Sequence, residues 1–145
     1  MSKGNTFEND LLLLIFNNTN CSLVGDATGL RGSSTAGSLY FSAHTADPGE
    51  TGTQTTSEAT YTSYARVAVA RSGAGFTVTN NSVSPAANVS FPAGTGGSGT
   101  LTHFGVGTDS SGTGKLLYKG AISPNIVSGN GVTPVLTTAT AITED

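Results

Sequence analysis

From position 38 onward the chain never runs far before a turn signal interrupts it. "SLYFSAHT" stops at "ADPGETG", "GFTVTNN" gives way to "SVSPAANVSFPA", and "LTHFGVGT" stops at "DSSGTG" before "KLLYKGAIS". The runs alternate with the period of a strand: Leu39, Phe41 and Ala43 fall on one face, and Tyr40, Ser42 and His44 on the other. Pro85 and Pro92 restrict their segments to short or edge strands. "YTSYARVAVAR" predicts the strongest strand and "VTPVLTTATAITED" a last one. Seven or eight short strands at roughly 8–15-residue spacing, without a βαβ rhythm, predict an all-β fold. The expected architecture is an antiparallel β-sandwich, jelly-roll-like, as one domain over residues 1–145. Leu39, Phe41, Val67, Val69, Phe76, Val78, Phe104, Val106, Leu116 and Tyr118 are expected to supply much of its core.

The exception is the N-terminal segment, residues 1–18, where "NTFENDLLLLIFNN" predicts a short helix. Asn5 or Thr6 can cap it, Glu8 and Asp10 suit its first turn, and Asn17 and Asn18 can end it. Phe7, Leu11, Leu14 and Ile15 share a face that Leu12, Leu13 and Phe16 widen beyond what a solvated surface helix carries. Leu11, Leu12, Leu13, Leu14, Ile15 and Phe16 are therefore candidates for an interface with another chain. Capping of the domain's own core is the competing use. The run is too short to span a bilayer, which takes about 20 residues. Acidic residues before it and "NNTNCS" after it do not suit a signal peptide, so the expected product is a mature protein made in a cytoplasm.

Composition narrows the function classes. Charged residues make up 10% of the 145, where about 25% is ordinary, and there are 20 glycines. The surface is kept wet by hydroxyls and backbone, a pattern of extracellular and virion β proteins. Six Lys and Arg at a net charge of -3 are too few to track a phosphate backbone, so no nucleic-acid partner is expected. The single Cys21 excludes an internal disulfide framework and reads as a small buried thiol.

One loop invites a chemical reading. "HTADPGE" places His44, Asp47 and Glu50 within a few positions of each other, which would supply a base and its orienting carboxylate. No G-x-S-x-G elbow or H-E-x-x-H pair accompanies them. The glycines at 105–112 lie in a hairpin and not between a strand and a helix, which disfavours a phosphate cradle. Two histidines would need carboxylates to complete a metal site. The structural reading accounts for more: His44 ends a strand, Asp47 accepts backbone hydrogen bonds in a Pro-Gly turn, and Arg66 pairs with Asp47 or Glu58. No catalytic, cofactor-binding or metal residue is assigned, and the chain is expected not to be an enzyme.

"HTADPG" with a downstream "YARV", then "PAANVSFP", "LYKG" and "GVTP", spread over about residues 7–145, resembles a family of small virion proteins of tailed bacteriophages. Such proteins often carry a tail-fibre label. The resemblance implies a capsid decoration, or cement, protein on the outer surface of an HK97-type shell. The implied partners are the major capsid protein and further copies of the same chain, with no nucleic acid, membrane or cofactor. A tail-fibre or head-fibre component involved in host attachment is the alternative.

Overall fold

The computed structural model describes residues 2–26 and 28–145. It is mostly β, with antiparallel sheets and one short helix, α1 (Asn5–Asn17). Its strands are β1 (Ser38–His44), β2 (Val67–Ala70), β3 (Phe76–Thr79), β4 (Ser82–Pro85), β5 (Val89–Ser90), β6 (Gly99–Gly107), β7 (Leu116–Ser128), β8 (Val135–Leu136) and β9 (Ile142–Thr143). The all-β class with an N-terminal helix follows the sequence expectation. The chain forms two compact units, each assembled from separated segments.

The first unit comprises Met1–Ser38, Val69–Asn88 and Thr137–Asp145. β3, β4 and β9 form its sheet in that order, with Phe76 opposite Pro85 and Val83 opposite Ile142. α1 packs on β3 and β4. Phe16 meets Phe76 edge-on at 5.0 Å between ring centres, the offset geometry that aromatic quadrupoles favour. Leu12, Phe16, Cys21, Phe76 and Val83 are among the buried apolar side chains here.

The helix is capped one residue before Asn5 and two before Thr6, the two predicted caps. Gly4 is the N-cap and provides no side-chain hydrogen bond. Asn18 ends the helix in the left-handed conformation, φ 58°, which asparagine tolerates better than most residues. Arg71 then ties the helix end to its unit. Its guanidinium donates to the carbonyls of Ile15 (2.6 Å), Leu14 (2.8 Å) and Ala36 (3.0 Å). Those of Leu14 and Ile15 are carbonyls a helix end leaves without intrahelical partners.

The second unit comprises Leu39–Ala68 and Val89–Leu136. β1, β6 and β7 lie side by side in that order, and β5 pairs with β8. β6 and β7 form the hairpin that the sequence predicts, with Val106 opposite Tyr118 and Phe104 opposite Gly120. β7 runs on to Ser128, beyond the predicted "KLLYKGAIS". Phe41, Ala43, Tyr61, Phe91, Leu101, Phe104 and Val106 are among its buried core residues.

Three expectations are corrected. Val67, Val69, Val78, Leu116 and Tyr118 are only half-buried, because much of the core comes instead from Leu12, Phe16, Val83, Phe91 and Leu101. "YTSYARVAVAR" is a strand only over its last part, since Tyr61 and Tyr64 turn inward as an aromatic pair at 5.4 Å. The predicted last strand is two short ones. A turn closed by Thr140 N–H on the Thr137 carbonyl separates β8, paired with β5, from β9, paired with β4.

Candidate functional site

The loop between β1 and β2 is where the sequence places its reactive residues, and the structure disperses them. Asp47 accepts the Gly49 N–H at 2.8 Å across the Pro48 turn, with Gly49 at φ 73°. That is the turn chemistry expected of Asp-Pro-Gly. The Lys119 ammonium lies 3.0 Å from Asp47 and 3.3 Å from Glu50. The Gly49 amide, and after it Lys119, hold the Asp47 carboxyl below its ordinary range. Neither carboxylate is a hydrogen-bond partner of His44.

His44 is fully buried and faces other groups. Its Nδ1 lies 2.8 Å from the Thr56 carbonyl, which can only accept, so Nδ1 carries the proton. Nε2 is then the acceptor for the Ser42 hydroxyl at 2.8 Å. A serine, a histidine and an orienting carbonyl are thus in line, but Ser42 and His44 both have no exposed surface. Ser42 and His44 share a strand face at i and i+2, the one signal in the sequence for this pair.

Burial pushes the His44 imidazole below its ordinary value, outweighing the opposite effects of the Thr56 carbonyl and Glu58. An unfolded histidine protonates near pH 6.5, about where the chain begins to take up a proton that the native state refuses. Stability is therefore expected to fall as pH drops below about 6.5 and to stop falling below the lower native value. Imidazole resonances followed by NMR should show His44 titrating below pH 6.5. Titration at or above 6.5 would contradict its burial.

The stretch "TQTTSEAT" looks exposed and mobile in sequence, yet it holds the loop in place. Gln54 is fully buried. Its Oε1 accepts the Asp109 N–H at 3.0 Å, and its backbone N–H reaches the Thr113 carbonyl at 3.1 Å, both in the β6–β7 turn. Glu58 receives Arg66 through two parallel contacts, Nε to Oε1 at 2.7 Å and Nη2 to Oε2 at 2.8 Å. Arg66 also donates to the carbonyls of Asp109 (2.9 Å) and Gly112 (2.7 Å). The Tyr64 hydroxyl donates to Glu58 at 2.9 Å and accepts the Ala43 N–H at 3.0 Å. Arg66 thus takes Glu58, not Asp47, of its two predicted partners.

The glycines of "FGVG" make room for these side chains. A Cβ on Gly105 would lie 2.7 Å from Ser42 Oγ and 2.8 Å from His44 Nε2, and one on Gly107 would lie 2.2 Å from Gln54 Cδ. Gly107→Ala should therefore force Gln54 from its pocket and cost about 1–3 kcal/mol, the range for overpacking. Chemical denaturation of the variant checks this, and an unchanged midpoint would contradict the placement of Gln54.

Of the six apolar interface candidates, Leu12 and Phe16 are fully buried within their own unit. They serve that core, and so are unavailable to another chain in this fold. Leu11, Leu13, Leu14 and Ile15 are half-buried. Among the described residues no helix is long and apolar enough to cross a membrane. No group of three or more His, Cys, Asp or Glu among them is placed to hold a metal ion.

These features define a small all-β module whose conspicuous polar side chains are spent on fixing loops to a β framework. A family model described as Podophage GP4 fiber I protein gp80 matches residues 4–143, and the chain belongs to that family. It is thus a bacteriophage virion structural protein, as its motifs suggest. No curated protein matches the chain.

Proposed function

We propose that the chain is a subunit of a virion fibre, and that it works by binding and holding rather than by catalysis. The observation that carries this reading is the family, described as a fibre protein and covering residues 4–143. The pinned loops support it, since a fibre subunit must keep its surface in one shape while linked to other protein. The burial of Ser42 and His44 supports a structural use of the pair that most resembles catalytic machinery. Further copies of the same chain are the proposed partners.

Capsid decoration is the second reading. It is favoured by the half-buried Leu11, Leu13, Leu14 and Ile15, a source of apolar area for docking on the major capsid protein. The two placements differ in stoichiometry. Quantitative mass spectrometry of purified virions should find the chain at a small fraction of the major capsid protein. Near-equal amounts would overturn the fibre reading and favour decoration.

A further inference from the structure

The loop of residues 45–57 is held shut by hydrogen bonds and not by apolar burial. Only Pro48 and Gln54 in it are buried, and it has no large apolar side chain. Thr45 N–H on the Ser57 carbonyl and Ala59 N–H on the Ala43 carbonyl close its base, both at 2.8 Å. Gln54 fixes its far end to the β6–β7 turn. A segment with few buried apolar contacts opens locally at lower cost than the core of a sheet.

His44 fastens the same loop through a titratable ring. Nδ1 donates to the Thr56 carbonyl in the loop and Nε2 accepts from Ser42 on β1, each at 2.8 Å. The ring has no exposed surface, so water cannot reach a proton added at Nε2 while the loop is closed. The Ser42 hydroxyl can turn to accept that proton, but the charge itself stays dehydrated, which is costly. Its charged and titratable neighbours are Glu58 and Tyr64, Arg66, and His103 on β6. Glu58 attracts the charge, but Arg66 and the Tyr64 hydroxyl already occupy its oxygens. Arg66 and His103 oppose it. Tyr64 stays neutral, because burial pushes its hydroxyl well above the ordinary range.

Opening the loop withdraws the Thr56 carbonyl and lets water hydrate the imidazolium. Protonation and opening therefore favour each other, as linkage requires. We propose that the loop of residues 45–57 is an acid-released latch: protonation of His44 frees it from β1 and from the β6–β7 turn, and loss of that proton closes it again. The closed form binds the proton less well than the open one. Closure is therefore fully supported above the open-state value of about 6.5 and weakens as pH falls below it. Release changes one surface, made of this loop and the β6–β7 turn that Gln54 and Arg66 otherwise hold to it. Such a latch operates alike on a fibre and on a shell.

The test is hydrogen exchange of the full chain followed by NMR, corrected for the intrinsic pH dependence of exchange. It is read at the amides of Thr45, Gln54 and Ala59, with those of Phe104 and Val106 in β6 as the reference for opening of the whole unit. The loop amides should exchange faster than the reference at both pH values. Their opening constant should rise by up to about 10-fold between about pH 7.5 and 5.5, the effect of one proton taken up at about 6.5 in the open form. His44→Gln should abolish that rise. His103→Asn, which removes the other of the two histidines, should leave it in place and keeps the assignment testable if His44→Gln does not fold. Loop amides that exchange only with β6 would overturn the proposal, since the loop would then open only with its unit. So would an opening constant that does not change with pH, a rise that persists in folded His44→Gln, or one that disappears in His103→Asn.

Discussion

Replacing Arg66 by methionine is expected to lower stability by about 3 kcal/mol, the low end of the range for breaking a buried ion pair. The Arg66 side chain is only 2% exposed, and Glu58, at 16%, keeps slight access to water. The substitution removes both parallel contacts to Glu58 and two donors to the β6–β7 turn. Tyr64 still donates to the abandoned carboxylate, which is why the low end applies. Lys119→Met is the matched control. Its ammonium pairs with Asp47 and Glu50, which are 52% and 92% exposed, and such solvent-screened surface pairs contribute little to stability. Urea unfolding of both variants gives the comparison. Equal losses would mean that the Arg66 guanidinium is solvated.

Phe41→Ala should cost about 3–5 kcal/mol, the usual loss when a buried aromatic ring is truncated. Phe41 has no exposed surface, and its ring lies 6.3 Å from that of Phe104. Both faces of β1 are covered here, since Phe41, Ser42, Ala43 and His44 are all buried. The neighbours are strand-borne and cannot easily close over a cavity. A loss below about 1 kcal/mol in the same unfolding experiment would place Phe41 on an outer face.

Much of this architecture is legible in the sequence, and the rest is hidden for physical reasons. α1 is readable from its apolar run and its Asn stop, and the β6–β7 hairpin from alternation around "DSSGTG". Asp47 is readable because Asp-Pro-Gly is a local device, needing only the next residues to act. Gln54, Glu58 and Arg66 act at long range, on carbonyls and amides roughly 40–60 positions away in the β6–β7 turn or on each other. A polar stretch gives no sign that one of its glutamines is buried. Gly105 and Gly107 read only as glycines of a hairpin until the side chains they admit are in place. The two compact units are equally invisible in linear order, because each draws on separated segments and no composition shift marks the crossings.

The family match makes the chain a phage virion structural protein; its position on the particle is the central proposal. Gold-conjugated antibodies raised against the purified chain, applied to intact virions and viewed by electron microscopy, test that position directly. The fibre reading predicts label confined to fibres, with the shell surface bare. Label spread evenly over the capsid would contradict it.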